Sequence, residues 1–287
     1  MAKGRELKGR IKTVENTRKI TRTMEMVATS KMKRAQDRVV AARPFANSLT
    51  EVIANLYTPE LAERFPLLRQ PATIRKAAVI VLTSNRGLAG AFNANLLKES
   101  RSLLNRLKGE SVETELHVVG KKGLGYFRYV GRAVASSRID ITDRPTAENA
   151  AELVDALIQR FAAGEIDAVY VVYAKFNSAL STPPSTQTVL PVTPPQRKGQ
   201  QPDYILLPSA EVILTQLLPS YVRNSVYRAL VETAAGEQGA RRTAMKNATD
   251  NAGEMLNVLR RTFNRARQAQ ITQEIAEIVG GAAALQG

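Results

Sequence analysis

The chain has 287 residues, with no cysteine, no tryptophan, one histidine and a formal net charge of +15. The missing cysteines exclude a disulfide framework, a thiolate metal site and a cysteine nucleophile, and a single His117 excludes a multi-histidine metal site. The basic excess predicts an acidic partner: a nucleic acid, a membrane face or an acidic protein cavity. No signal-peptide pattern and no apolar run of about 18 residues is present, so we expect no transmembrane helix.

Proline is absent from both ends of the chain. All 13 prolines lie between Pro44 and Pro219, and a segment without proline can form a long uninterrupted helix. The sequence therefore predicts a long helix at each end. We expect Pro44 to kink or end the first helix, Pro219 to bend the last one, and Gly236 and Gly239 to weaken it locally.

Apolar residues in both end segments follow a spacing of three and four, which is typical of a coiled-coil seam. In the first segment these are Leu7, Ile11 and Val14, then Ile20, Met24 and Val27 after a one-residue slip. In the last segment they are Ala252, Met255, Leu259, Phe263 and Ala266, followed by Ile271, Ile275, Ile278, Ala282 and Leu285. The pattern predicts an antiparallel coiled coil between the two ends; two amphipathic helices packed on one core remain the alternative.

The middle of the chain alternates strands and helices. The spacing predicts strands at 77–83, 116–120, 166–176 and 186–192, and helices over 94–108, 121–131 and 146–163, the last one capped by Thr146. This alternation predicts a small, mostly parallel, Rossmann-like α/β sheet, and the proline-rich end of the fourth strand suits an edge position.

Two glycine-rich turns in this middle domain are candidate phosphate sites. Residues Ser84–Gly90 follow a strand and open a helix, as phosphate-binding turns do in α/β folds. The pattern is neither GxGxxG nor a P-loop, and Gly120–Gly125 is equally weak. We therefore favour tight turns that use glycine for backbone reasons. A small nucleotide-binding enzyme using Ser84–Gly90 stays open as a hypothesis.

The positive charge is concentrated in the first helix. Residues 1–43 hold thirteen lysines and arginines against four acidic residues and contain no aromatic side chain. A protein that binds single-stranded nucleic acid would usually add aromatic residues for stacking. A duplex binder could use the cations alone, so a basic coiled-coil nucleic-acid adaptor is the second hypothesis.

Three segments resemble the gamma subunit of the bacterial F-type ATP synthase. They are the start, with NTRKIT at 16–21 and MEMVA at 24–28, the central LTSNRGLAGAFN at 82–93, and the end, with AMKNATDNA at 244–252 and NRARQAQITQEI at 264–275. The resemblance covers essentially the whole chain. Two residues depart from the family pattern: Asn85, where aspartate is usual, and Arg242, where methionine is common.

The resemblance implies a fold with three parts: an N-terminal coiled-coil helix over 1–58, a central α/β domain over 75–207 and a C-terminal coiled-coil helix over 208–287. It implies a non-catalytic rotor shaft that couples proton flow to ATP synthesis or hydrolysis and regulates ATPase activity. The implied partners are three alpha and three beta subunits, epsilon, delta and the c-ring, with no nucleic acid. ATP, ADP and magnesium would bind to alpha and beta rather than to this chain, which would be a peripheral protein on the cytoplasmic side of the bacterial inner membrane.

The resemblance also implies contact residues, carried over by motif. Contacts with beta would come from Arg267, Gln268, Met24, Lys31, Lys33 and Arg34. A hydrophobic tip turning in a sleeve at the top of the ring would consist of Ile275, Ile278, Val279, Ala282 and Leu285. No catalytic, cofactor-binding or metal-binding residue is implied.

Overall fold

A computed structural model describes residues 2–56, 64–141, 143–178, 181–193 and 209–284, without the side chains of 2–4 and 282–284. The contacts divide the chain into a helical unit, Met1–Val27 with Arg242–Gly287, and an α/β unit, Ala28–Arg241. Helix α1, Ala2–Leu56, and helix α5, Ala210–Ala284, each contribute to both units.

Neither long helix ends at its proline. Helix α1 contains Pro44 and helix α5 contains Pro219. Leu49 and Ile53, which follow Pro44, are buried in the core of the α/β unit. Packing of the residues beyond each proline compensates for the backbone hydrogen bond that proline removes. Of the two expectations for Pro44, a kink or an end, the helix does not end there, and it continues to Leu56.

In the helical unit, α1 and α5 pair in an antiparallel arrangement. The Thr249 hydroxyl donates to the Thr21 hydroxyl at 2.8 Å, and further along Arg260 contacts Glu15 at 2.6 Å. Residue numbers rise on one helix as they fall on the other, which confirms the predicted antiparallel coiled coil. On α5 the buried positions Thr249, Ala252 and Leu256 are separated by three and four residues, as a seam requires.

The seam differs from the predicted one in two places. Ile20 and Val27 are 59% and 50% exposed, and Thr21 and Ala28 are buried instead. The seam therefore keeps an unbroken seven-residue repeat from Leu7 and Val14, with no slip. On α5, Met255 is 55% exposed and Leu256 is buried in its place. The prediction followed the largest apolar side chains, whereas closely packed helices favour small residues at the seam.

The α/β unit is built on a five-stranded sheet in the order β3-β2-β1-β4-β5. Strands β1 to β4 are parallel, and β5 runs antiparallel to β4 at the edge. The strands are β1 Lys76–Leu82, β2 Glu113–Val119, β3 Ser136–Arg138, β4 Ala168–Ala174 and β5 Pro184–Leu190. The connecting helices are α2 Phe92–Gly109, α3 Lys121–Tyr129 and α4 Ala147–Ala162, and a 3₁₀ turn covers Pro66–Leu68.

Helices cover both faces of this sheet, as a parallel sheet requires. Alternate residues of β1 face opposite cores: Ala78, Ile80 and Leu82 pack with α1, α4 and α5, while Ala77, Val79 and Val81 pack with α2 and α3. This three-layer arrangement confirms the predicted mostly parallel α/β fold. Helix α4 also confirms the predicted cap, since Thr146 and Asn149 form a reciprocal capping box.

Strand β3 was not predicted from the sequence. It has only three residues, Ser-Ser-Arg, none of them apolar or buried. A strand of this kind has no hydrophobic pattern, and it exists because its backbone pairs with β2 next to His117, Val118 and Val119. The described sheet therefore has one strand more than the four predicted.

Candidate functional site

The edge at which the four parallel strands end is where α/β folds usually bind ligands. We call it the carboxyl edge. The central turn of this edge follows β1, and side chains of the same protein bind the backbone of the turn. The Asn93 side-chain oxygen accepts a hydrogen bond from the backbone N–H of Ser84 at 3.0 Å. The Thr83 hydroxyl donates to the carbonyl of Val119 at 2.7 Å. These contacts fix the end of β1 against β2 and α2.

The start of helix α3 has no free donors for a phosphate at its first three residues. The N–H of Lys121 donates to the Asn85 side chain at 3.0 Å, that of Lys122 to the Ser84 carbonyl at 3.1 Å, and that of Gly123 to the Thr83 hydroxyl at 2.9 Å. A phosphate site at a helix start depends on such N–H groups being available. The geometry agrees with the interpretation of Gly120–Gly125 as a structural turn.

Gly120 explains why this turn needs glycine. Its φ angle is +98°, and a Cβ atom there would lie 2.2 Å from the Thr83 carbonyl oxygen. Only glycine permits both the positive φ and this close approach.

Helix α5 contacts the carboxyl edge at the ends of β1 and β4. The Thr233 hydroxyl accepts from the N–H of Ala174 at 3.3 Å, and the Glu232 carboxylate accepts from the N–H of Phe176 at 2.9 Å. Arg241 donates to the Gly87 carbonyl at 3.2 Å. Glu232 is 2% exposed and is also paired with Arg228 at 2.7 Å. Side chains of α5 thus bind backbone groups after β1 and β4 at this edge, which favours the interpretation of Ser84–Gly90 as a structural turn.

A second cluster of charged groups lies at the opposite edge. Arg160 holds Glu115 through two hydrogen bonds of 2.7 and 2.9 Å, and Lys76 approaches Glu115 at 3.1 Å. The hydrogen bonds from Arg160 lower the pKa of Glu115 to about 2. His117 has a lowered pKa because it is buried. The charged members Lys76, Glu115 and Arg160 join β1, β2 and α4 and bind one another, so we assign this network no chemistry.

Among the described residues, no group of three or more His, Cys, Asp or Glu side chains could hold a metal ion. Within the same part of the chain, no helix is sufficiently long and apolar to span a membrane.

The surface of the helix pair carries the other candidate site. Its cations are exposed, and within the described residues of the helical unit only Arg10 and Arg260 form ion pairs. Among the described residues of α1 up to Val27, the exposed cations without a carboxylate partner are Arg5, Lys8, Lys12, Arg18, Lys19 and Arg22. This surface is suited to an acidic environment.

The predicted contact residues fall into both units. In the helical unit, Arg267 and Gln268 are exposed on α5, and Met24 is partly buried on α1. In the α/β unit, Lys31 contacts Asp143 at 2.7 Å and Lys33 contacts Asp37 at 3.0 Å. Arg34 is exposed. Lys31 thus has a role inside the fold that the sequence did not indicate.

The predicted tip lies where α5 has no other described helix beside it. Ile275, Ile278 and Val279 are 56%, 71% and 62% exposed. The pairing of Thr21 with Thr249 places the start of α1 near residue 268, so α5 continues alone beyond that point. The side chain of Ala282 and the whole of Leu285 lie outside the described residues.

The comparisons with known proteins agree with one another. A family model described as ATP synthase matches residues 3–285. The chain is 69% identical to an ATP synthase gamma chain of Gemmatimonas aurantiaca, with all of both chains covered. It is 43% identical to one of Frankia casuarinae, covering 98% of this chain and 97% of the other.

Solved structures show the same similarity. The central stalk and c-ring structure of Tetrahymena thermophila mitochondrial ATP synthase contains a chain 27% identical to this one, with a TM-score of 0.59 over 80% of this chain and 99% of that one. A chain of the Euglena gracilis mitochondrial enzyme is 19% identical, with a TM-score of 0.69 over 99% of this chain and 95% of its own. The second likeness supports the fold.

Proposed function

Because the chain belongs to the ATP synthase gamma chain family, we propose that it is the rotating central stalk of a bacterial F-type ATP synthase. The observation that carries the proposal is the antiparallel helix pair with a basic surface, from which α5 extends alone. The hydrogen bonds of α5 to the carboxyl edge support a role that involves no chemistry on this chain.

The shaft would act through differences in contact free energy. A ring of three alpha and three beta subunits would surround the helix pair, and each beta subunit would meet a different face of it. Rotation changes the nucleotide affinity of a beta subunit only if the shaft contacts its open and closed states with different free energies. ATP, ADP and magnesium would bind to alpha and beta.

The described residues offer two kinds of contact for this role. Arg267 and Gln268 are exposed and can donate hydrogen bonds to a beta-subunit loop, and Met24, on α1, would lie near an acidic loop. The exposed side chains of Ile275, Ile278 and Val279 would turn against an apolar sleeve, where aliphatic side chains make no directional bonds that oppose rotation.

The remaining partners follow from the same proposal. The c-ring would bind the α/β unit and transmit proton-driven rotation, a pairing supported by the description of the Tetrahymena relative as central stalk and c-ring. Epsilon would bind this chain, delta would belong to the same complex, and regulation of ATPase activity would pass through the shaft. The chain would lie on the cytoplasmic side of the inner membrane, held there by its partners.

The test is a double substitution, Arg267→Ala with Gln268→Ala, in a complex reconstituted with alpha, beta and the membrane sector. We expect ATP-driven proton pumping by the complex to fall. The melting temperature of the isolated chain should stay close to that of the unmodified chain, because both side chains are exposed. The matched control is Asn95→Ala with Lys98→Ala, two exposed residues on α2. Unchanged pumping in the first variant would remove these residues from the proposal.

Failure of the unmodified chain to assemble with alpha and beta would overturn the proposal itself. Tight, salt-sensitive binding of duplex DNA by the isolated chain would support the nucleic-acid hypothesis instead.

A further inference from the structure

Within the α/β unit, helices α1, α4 and α5 leave between them a groove of about 340 Å³. Helix α4 contributes Ala147 and Ala151, which lie one turn apart and are too small to fill the space. Helix α5 contributes Ser220, Asn224 and Tyr227, whose spacing of four and three residues places them on one face. The volume of the groove is in the range of sites that bind small molecules.

Two aromatic rings line this groove. Phe45 on α1 is 59% exposed, although burial of a phenylalanine side chain is favourable. Tyr227 on α5 is half-buried and packs against two hydrophobic clusters of the unit, which hold its ring in place. An exposed phenylalanine near a fixed tyrosine gives the groove apolar walls that a ligand can cover.

The groove also contains polar groups that are available for hydrogen bonds. Among the residues that the structure describes, no partner binds the Glu148 carboxylate, the Asn224 amide or the Tyr227 hydroxyl. Apolar walls with a few polar groups are the usual composition of a small-molecule site, in which the polar groups orient the ligand.

The charges of the groove favour a cation. Arg223 also lines it, but the guanidinium donates to both carboxylate oxygens of Asp155, at 2.7 and 3.0 Å, so the two charges offset each other. The carboxylate of Glu148 then leaves the described lining with a net negative charge. Aromatic ring faces attract cations as well, most strongly organic ammonium ions that are easily desolvated.

We propose that the groove between α1, α4 and α5 binds a small organic ammonium ion with an apolar body. The charged nitrogen would lie at the Glu148 carboxylate and against an aromatic face, and its N–H groups would donate to the oxygens of Asn224 and Tyr227. The apolar body would cover Phe45 and the alanines of α4. This site lies wholly within the α/β unit, so binding there does not depend on the chain being a rotor shaft.

The test titrates the full chain with three probes that share one skeleton and differ in charge: phenylpropylamine, phenylpropanol and phenylpropionate. Titration calorimetry gives affinity and stoichiometry for each probe. We expect the amine to bind with a stoichiometry of one, and roughly three- to tenfold more tightly than the alcohol or the carboxylate.

Two substitutions separate the charge from the aromatic wall. Glu148→Gln should remove the preference for the amine and leave the affinity for the alcohol unchanged, which also shows that the groove is still folded. Phe45→Ala should weaken the amine and the alcohol alike. The matched control is Glu51→Gln, at an exposed carboxylate of α1 outside the groove, and it should bind all three probes as the unmodified chain does.

Four outcomes would overturn the assignment. They are no saturable binding of the amine, equal binding of the amine and the alcohol, an unchanged preference in Glu148→Gln, and an equal loss in Glu51→Gln, which would indicate a general effect of charge. Tighter binding of the carboxylate than of the amine would also overturn it, in favour of an anion site at the start of α4.

Discussion

At the scale of single residues, Asn85 shows how one amide holds three elements together. Its nitrogen donates to the carbonyls of Ile139 and Ile141 at 3.0 and 2.9 Å, and its oxygen accepts from the N–H of Lys121 at 3.0 Å. Aspartate, which the family resemblance leads one to expect here, has no donor for the two carbonyls when it is ionised. The sequence comparison with the family pattern already singled out Asn85 as unusual. Its hydrogen-bond partners lie 36 to 56 residues away along the chain, so only the fold shows them.

Replacing Asn85 by aspartate should destabilise the α/β unit by about 1–3 kcal/mol at neutral pH, since a carboxylate would face two carbonyl oxygens. The same repulsion raises the pKa of the new carboxyl in the folded state. Stability should therefore recover in part as the pH falls through that raised pKa, because the protonated acid can donate to one carbonyl. Urea unfolding of Asn85→Asp at several pH values tests this. Asn95→Asp, at an exposed site on α2, is the control and should change stability little.

His117 gives a second prediction at this scale. Its Nδ1 lies 2.7 Å from the Ser136 hydroxyl, its Nε2 is buried without a partner, and burial lowers its pKa below 6.5. The nearby charges of Glu115 and Arg160 act in opposite directions. The unfolded chain should therefore take up a proton at higher pH than the folded chain, and stability should fall as the pH drops below about 6.5.

The histidine is unique, so one imidazole resonance in a proton NMR titration reports its pKa directly. A midpoint at or above 6.5 would contradict the prediction. His117→Gln should reduce the loss of stability on acidification, which chemical unfolding at pH 7 and pH 5.5 would measure.

At the scale of elements, the sequence predicted most of what depends on apolar periodicity. Strands β1 and β4 and helix α4 were predicted because each has an apolar face or a fully apolar run. Strand β3 and the seam positions Thr21 and Thr249 were missed, because a short paired strand and a closely packed seam need no large apolar residue. The contact of α5 with the carboxyl edge was also missed, since Glu232 and Thr233 lie far along the chain from the end of β4, which they contact.

Gly236 tests the packing of α5 against the sheet. The sequence suggested only that this glycine weakens the helix. In the structure a Cβ atom at Gly236 would lie 3.2 Å from Ala174 Cβ, 3.3 Å from Thr182 Cβ and 3.4 Å from Phe92 Cε2. Gly236→Ala should gain up to about 1 kcal/mol of helix propensity but lose about 1–3 kcal/mol to overpacking, for a net loss.

Gly125 provides the matched control for this substitution. It lies inside helix α3, and a Cβ atom there would meet nothing within 4 Å. Gly125→Ala should therefore stabilise the chain by up to about 1 kcal/mol. Thermal or urea unfolding of both variants distinguishes the two effects, and a gain in stability for Gly236→Ala would show that α5 can move away from the sheet.

At the scale of the whole molecule, the positive charge and the contacts of α5 with the carboxyl edge have one explanation. Helix α5 contacts the described carboxyl edge through Glu232 and Arg241, and the exposed cations Arg5, Lys8, Lys12, Arg18, Lys19 and Arg22 of the helical unit have no described carboxylate partner. Both features suit a chain that works by contact with acidic partners. The family resemblance, rather than composition, favours a protein partner, because an equally basic helix could bind nucleic acid.

The end of α5 provides the last prediction. Ile275 and Ile278 are 56% and 71% exposed, so Ile275→Asp with Ile278→Asp should leave the melting temperature of the isolated chain within about 2 °C. If this segment turns in an apolar sleeve, the same change buries two carboxylates there and should strongly reduce assembly with alpha and beta. Val212→Asp, at a 45% exposed position in the first turn of the same helix, is the control and should assemble normally. Co-purification and ATPase activity measure the outcome, and normal assembly of the double variant would show that the exposed end of α5 meets water rather than a sleeve.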